Sequence, residues 1–104
     1  MSIENVTRQL VDQIVRLIHP KQIILFGSAA RKGEKVVNDI DLLVVMPEGT
    51  HKRHTAQDLY RKIIGIEMPF DIIVATPGDL ARHRDNPGLI YWNILREGIE
   101  VYAA

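Results

Sequence analysis

Apolar residues recur at helical spacing in the first part of the chain. Between residues 3 and 18 they fall three or four positions apart, which predicts an amphipathic helix with Ser2 as its N-cap and Pro20 just beyond its end. Mostly apolar runs too short for helices follow, and we interpret them as strands. These runs cover residues 22–26, 39–45, 70–75 and 99–102.

A second helical pattern separates the second and third strands. Apolar positions between residues 56 and 64 predict an amphipathic helix. Thr55 and Asp58 have the spacing of a capping box at its start, and Gly65 stands where a helix commonly ends.

Two further helix starts follow the third strand. Thr76 and Asp79 have the spacing of a capping box, and with Pro77 at the first helical position they predict a short helix to about residue 83. Asn86-Pro87 predicts another helix that runs to Glu97 and stops at Gly98. The predicted order of elements is therefore helix, strand, strand, helix, strand, two helices and strand. This order predicts one α/β (α+β) domain over residues 1–104, with a small mixed β-sheet of about four strands packed with helices.

Composition narrows the classes of function. The 104 residues carry 13 basic and 13 acidic side chains, so the net charge is zero, and direct binding to nucleic acid is not expected. No cysteine is present, which excludes disulfides and thiolate zinc sites. There is no apolar run of membrane-spanning length, and Glu4 stands where a signal peptide would be basic. We expect a soluble, cytoplasmic protein without a membrane partner.

Two aspartates one residue apart begin the second strand. Side chains alternate across a strand, so Asp39 and Asp41 should project from the same face while Ile40 points the other way. Two carboxylates that close together repel each other unless a cation lies between them. A hard divalent ion such as Mg²⁺, which prefers oxygen ligands and usually binds phosphates as well, suits such a pair.

A glycine and a serine follow the first strand directly. Gly27 allows the backbone to approach a ligand closely, and the Ser28 hydroxyl beside free N–H groups forms a cradle suited to phosphate. Residues 29–32 can form a short helix whose first N–H groups point toward the turn and which Gly33 ends. Arg31 lies about one helical turn beyond Ser28. Its guanidinium either reaches the outer phosphates of a nucleotide or points to solvent.

The third strand carries one charged residue, Asp71, in an otherwise apolar run. Such a run is typical of a strand buried on both faces, which rarely tolerates an unpaired carboxylate. If this strand lies beside the second, Asp71 faces Asp39 and Asp41 across the ladder. Three carboxylates beside a phosphate cradle predict a site in which the pair holds two metal ions. The third carboxylate ligates one ion and helps to deprotonate an attacking hydroxyl.

These motifs resemble those of a known family. Gly27-Ser28, ten intervening residues and Asp39-Ile40-Asp41 are similar to the signature of the minimal nucleotidyltransferases, a branch of the DNA polymerase β-like nucleotidyltransferase superfamily. The segments LFGSAARKG and DIDLLVV look like the corresponding segments of that family, and the likeness covers nearly the whole chain.

The resemblance implies the nucleotidyltransferase fold and a specific activity. ATP or another nucleoside triphosphate would be the donor and two Mg²⁺ ions the cofactors. Asp39, Asp41 and Asp71 would be the metal ligands and catalytic residues, and Gly27 and Ser28 would hold the triphosphate. From its position we add Arg31 to the nucleotide-binding residues. Relatives of this size resemble antitoxins that move AMP onto a tyrosine of a helical HEPN toxin. A chain too small for a substrate domain agrees with a partner that supplies the acceptor hydroxyl.

Two other functions are compatible with the sequence. One is a non-catalytic antitoxin that neutralises its partner by occlusion. The other is an enzyme that uses the Asp-x-Asp pair differently, such as a sugar-nucleotide transferase or a phosphohydrolase, although neither chemistry predicts a Gly-Ser turn upstream.

Overall fold

The computed structural model describes residues 2–31, 33 and 36–104. These residues form four α-helices, four β-strands and one short 3₁₀ helix. In chain order the elements are α1 (Ile3–Ile18), β1 (Gln22–Phe26), the 3₁₀ helix (Gly27–Ala30), β2 (Ile40–Val45), α2 (Lys52–Lys62), β3 (Phe70–Ala75), α3 (Pro77–His83), α4 (Ile90–Glu97) and β4 (Ile99–Ala103). No helix in the described part of the chain is long and apolar enough to cross a membrane.

The strands form one mixed sheet in the order β3-β2-β1-β4. β1 pairs antiparallel with both β2 and β4, whereas β2 and β3 run parallel. The carboxyl end of β1 therefore meets the amino ends of β2 and β3 at the same end of the sheet. The predicted fold, a small mixed sheet of four strands packed with helices, is confirmed.

Each face of the sheet has its own apolar core. On one face, Leu42 and Val44 of β2 pack with Leu10 and Ile14 of α1 and Leu59 of α2. On the other face, Leu43 and Val45 pack with Ile24, Ala75 and Ile94, the last of which belongs to α4. Truncating a buried leucine such as Leu10 to alanine costs about 2–5 kcal/mol. The alternation of β2 side chains between the two cores fixes which residues share the face of Asp41.

The ends of α1 agree with the sequence prediction. The Ser2 hydroxyl accepts a hydrogen bond from the Asn5 N–H at 3.1 Å. The helix closes at His19, whose φ of 48° is left-handed and whose N–H donates to the Val15 carbonyl. Pro20 then prevents continuation.

The predicted start and end of α2 are both wrong. The helix begins at Lys52, because the His51 Nδ1 caps it by accepting from the His54 N–H at 3.1 Å. Thr55 lies inside the helix, and Asp58 pairs with His54 at 3.3 Å and with Arg61 rather than closing a capping box.

The early end of α2 has a tertiary cause. The helix stops at Lys62 rather than at Gly65. The Gln13 side chain donates to the Ile64 carbonyl at 2.7 Å and accepts from its N–H at 3.0 Å. Because these bonds satisfy the Ile64 backbone from α1, residue 64 need not remain helical.

The α3 prediction holds, whereas the start of α4 differs. The Thr76 hydroxyl and the Asp79 carboxylate form the expected capping box at α3. Asn86-Pro87 makes a turn instead of starting α4, since Asn86 accepts from the Gly88 N–H and the Leu89 N–H, both at 3.0 Å. The helix begins only at Ile90.

Candidate active site

The chain turns sharply where β1 ends. Gly27 has φ of +73°, and the 3₁₀ helix that starts there is anchored by the buried side chain of Ala30. The Ser28 carbonyl accepts from the Arg31 N–H at 3.3 Å and closes this turn. The helix predicted over residues 29–32 is thus displaced toward the strand and is 3₁₀, and Lys32 lies outside the described residues.

Gly27 lies directly against the carboxylate of Asp41. A Cβ atom built at position 27 would overlap Asp41 Oδ2. Phe26, the residue before the glycine, is also the register partner of Asp41 across the β1–β2 ladder. Because glycine has no side chain, the turn at position 27 can lie directly against the Asp41 carboxylate.

Asp71 is the register partner of Asp41 on the other side, across the parallel β2–β3 ladder. Residues paired in this way project from the same face of a sheet. That face is the one that packs against α4, because Leu43 and Ile73, two residues further along each strand, lie in its core. The two carboxylates are thus neighbours at the end of the sheet next to Gly27.

Two details differ from the sequence prediction. β2 begins at Ile40, so Asp39 precedes the regular ladder by one residue and is half-buried. Asp71 is exposed, although its strand was expected to be buried on both faces. β3 is an edge strand and Asp71 lies near its first residue, so solvent reaches the carboxylate.

The electrostatics of Asp41 reflect this arrangement. Partial burial raises the pKa of the Asp41 carboxyl, and the negative charges of Asp71 and then Asp39 raise the same pKa further. Each cause disfavours the ionised form of Asp41. All three predicted acidic residues are therefore near enough to interact.

The side chains do not form a ready coordination shell. Within residues 2–31, 33 and 36–104, no group of three or more histidine, aspartate or glutamate side chains is arranged to hold a metal ion. The donor chemistry nevertheless fits a hard cation, since every group is a carboxylate and the mutual repulsion at Asp41 is what a cation would relieve.

A cleft of about 350 Å³ opens beside the turn. Gly27 and the exposed Arg31 line one side of it, and α4 lines the other. The α4 residues that face the cleft include Asn93 and Glu97, which the sequence analysis did not identify. Their spacing of four residues places them on one helix face, but no local pattern indicated that α4 would pack beside β1.

Comparison with known proteins agrees with this geometry. A family model described as Polymerase beta, Nucleotidyltransferase matches residues 8–104. The chain belongs to this family. The match includes both the Gly-Ser turn and the three aspartates. Membership supports a nucleotidyltransferase activity for the domain.

A solved structure shares the fold of this nucleotidyltransferase domain. It is the crystal structure of a "putative nucleotidyltransferase" from Sulfolobus solfataricus, with a TM-score of 0.64 and 19% sequence identity. The alignment covers 95% of the present chain and 78% of the other. At this identity the similarity establishes the fold alone. No curated protein matched the chain.

Proposed function

We propose that this domain transfers a nucleoside monophosphate, AMP in the first instance, from a nucleoside triphosphate to a hydroxyl group. The observation that carries the proposal is the register of Asp41 opposite Asp71 beside Gly27. This register places two carboxylates next to a turn that a phosphate can approach closely.

The reaction is an in-line displacement. The acceptor hydroxyl oxygen bonds to the α-phosphorus, and the bond from that phosphorus to the bridging oxygen breaks, so that pyrophosphate leaves. Asp71 is exposed and accepts the hydroxyl proton, either directly or through water. Gly27, Ser28 and Arg31 hold the triphosphate with backbone N–H groups, a hydroxyl and a guanidinium.

Asp39, Asp41 and Asp71 are the residues that would hold Mg²⁺. Bound there, the ions would neutralise charge on the phosphates and lower the pKa of the acceptor hydroxyl. The chain's own contribution is to orient the carboxylates: β2 and β3 hold Asp41 and Asp71 in register, and Gly27 leaves room for the donor.

We further propose that the acceptor is a tyrosine on a HEPN-type toxin and that the domain acts as its antitoxin. This part rests on the resemblance to minimal nucleotidyltransferases and on size. Within the described residues, one sheet and its helices make up the fold, without a second unit that could bind a macromolecular acceptor. A partner that carries its own hydroxyl to the site would meet that need.

The test is a transfer assay with two readouts. The protein is incubated with α-labelled ATP, Mg²⁺ and the protein encoded by the adjacent gene, and label on that protein and its ribonuclease activity are both measured. Wild type should label a tyrosine, release pyrophosphate and silence the toxin. Asp41→Asn should do none of these, whereas Asp12→Asn, a change at an exposed carboxylate on α1, should match wild type.

Neutralisation by occlusion is the alternative function. It is favoured by the finding that the described carboxylates do not converge as a ready metal site. In that case Asp41→Asn would silence the toxin as well as wild type does, with no label transferred. Release of free phosphate instead of pyrophosphate would indicate a phosphohydrolase and contradict both proposals.

A further inference from the structure

The cleft beside Gly27 continues past the turn along one face of α4. We propose that the nucleoside half of the donor binds against this face, with Asn93 and Glu97 contacting the ribose hydroxyls and the edge of the base. The inference rests on the proposed nucleotidyl transfer and assigns its donor-selecting residues.

The size and composition of the cleft suit a nucleoside. Its volume of about 350 Å³ lies within the range of small-molecule sites. One wall is Phe26, Gly27 and Arg31, and the opposite wall includes Ile90, Asn93 and Glu97. The first wall adjoins the Asp41 carboxylate, since Gly27 is in contact with it. A donor whose phosphates lie at the turn therefore extends its nucleoside toward α4.

The charges on the two walls determine how the donor nucleotide is oriented in the cleft. Arg31 is cationic and lies on the wall that carries the phosphate turn, whereas Glu97 is anionic and lies on the α4 wall. A triphosphate is attracted to the first residue and repelled by the second. The carboxylate of Glu97 is instead suited to accept hydrogen bonds from ribose hydroxyls or from an exocyclic amine of the base.

The α4 wall is held in place by its buried side. Residues 90, 93 and 97 lie on one helix face by their spacing, and the neighbouring Ile94 is fully buried in the core of that side of the sheet. Gly98 ends the helix so close to β1 that a Cβ there would overlap the Ile94 carbonyl and the Ile24 side chain. Asn93 and Glu97 therefore project from a rigid support.

The side chains on this wall have the chemistry that a nucleoside needs. Ile90 is 48% exposed and offers an apolar surface to the flat face of a base. Asn93 supplies both a donor and an acceptor, and neither Asn93 nor Glu97 has a side-chain hydrogen bond or ion pair among the described residues.

The cleft between α1 and β4 is a poorer candidate for the donor. It has about 370 Å³ and is lined by Leu25 and Val101, which pack in the core on the opposite face of the sheet from Asp41. Ala29 of the 3₁₀ helix also lines this cleft, but a nucleoside bound against Leu25 and Val101 would lie on the other face of the sheet from the carboxylates.

Binding of two ligands distinguishes this inference from the proposed function. Isothermal titration calorimetry in Mg²⁺ compares whichever of ATP, GTP, CTP and UTP wild type binds most tightly with inorganic tripolyphosphate, which lacks a nucleoside. Asn93→Ala and Glu97→Gln should each weaken nucleotide binding about tenfold, as expected for one lost hydrogen bond to a polar or charged group, and leave tripolyphosphate binding unchanged. Glu67→Gln, at an exposed site away from the cleft, should change neither.

Other results would overturn the assignment. If both variants bind the nucleotide as wild type does, the nucleoside lies elsewhere while nucleotidyl transfer survives. Equal weakening of nucleotide and tripolyphosphate would show that α4 acts on the phosphates or on the fold. If wild type binds neither ligand, this inference and the proposed function both fail.

Discussion

Gly27 and Asp41 are in such close contact that a side chain at position 27 would occupy the place of the Asp41 carboxylate oxygen. Gly27 directly follows β1, and the last residue of that strand, Phe26, is the register partner of Asp41 in β2. The glycine thus has two roles: its positive φ turns the chain out of β1, and its lack of a side chain leaves the carboxylate in place.

Replacing Gly27 by alanine should damage both stability and transfer. The left-handed backbone costs about 1–2 kcal/mol for a residue with a Cβ, and the collision displaces the Asp41 carboxylate as well. We expect nucleotidyl transfer to fall at least about tenfold, as a misplaced reacting group does. Gly65→Ala is the matched control, since Gly65 has φ of +75° but open space around it. Equal activity and melting temperature in the two variants would contradict the role of the contact.

Replacing Asp41 by asparagine should abolish transfer without unfolding the protein. The Asp41 carboxylate is partly buried and repelled by Asp71 and Asp39. Removing its charge therefore removes unfavourable desolvation and repulsion from the folded, metal-free protein. Removing a like-charge cross-strand pair stabilises by about 0.2–1 kcal/mol. We therefore expect an unchanged or slightly higher melting temperature at pH 7 without Mg²⁺, measured by circular dichroism. Transfer should fall by at least about 100-fold, because several kcal/mol of transition-state stabilisation are lost.

Two results would contradict the prediction for Asp41→Asn. A large drop in melting temperature would mean that the ionised Asp41 supports the fold. Persistent transfer would mean that Asp41 is not part of the reaction. Asp12→Asn on the exposed face of α1 controls for the general effect of removing one negative charge.

Asp79 should make stability depend on pH in acid. Its buried carboxylate accepts hydrogen bonds from Lys52 at 2.9 Å, from Arg82 at 2.6 Å and from the Thr76 N–H at 3.0 Å. The side-chain hydrogen bond from Lys52, followed by that from the Thr76 backbone, lowers the pKa of Asp79 from 3.8 to about 2. Because the folded value is the lower one, the ionised group stabilises the fold above about pH 4. That contribution is lost as the pH falls through about 2.

Melting temperatures measured between pH 2 and pH 7 check this expectation. The melting temperature of wild type should fall between about pH 4 and pH 2. The Asp79→Asn variant should have a lower melting temperature at pH 7, and its melting temperature should change less over that interval. Asp85→Asn, at an exposed position after α3, should follow the wild-type curve. An Asp79→Asn curve parallel to wild type would assign the acid sensitivity to other groups.

The hydroxyl of Tyr60 should contribute to the stability of β3. It accepts a hydrogen bond from the Ile72 N–H at 2.7 Å, on the open edge of a strand that ends the sheet. Tyr60→Phe keeps the stacked contact with Phe70 but leaves this N–H without its protein partner, which costs about 0.5–1.5 kcal/mol. The melting temperature should fall by several degrees. Tyr102→Phe, whose hydroxyl has no hydrogen bond within the described residues, should leave it unchanged.

Some helix boundaries could be predicted from local sequence signals and others could not. The Ser2 cap of α1 and the Thr76–Asp79 capping box of α3 follow the sequence pattern, because a cap needs only residues within one turn. The carboxyl end of α2 does not follow it, since Gln13 on another helix binds the backbone of Ile64. A local rule fails where a partner distant in sequence satisfies the same backbone groups.

The candidate site likewise combines features set by neighbouring residues with features set by tertiary packing. The sequence by itself determined the strands, the turn at Gly27 and the pair of aspartates before β2, because side-chain alternation and the conformational freedom of glycine are properties of neighbouring residues. Only the tertiary structure decided that β3 lies beside β2, which sets Asp71 opposite Asp41, and that α4 packs beside β1, which brings Asn93 and Glu97 to the cleft. Periodicity indicates which face of an element is buried, whereas the choice of neighbour depends on how all the buried faces pack together.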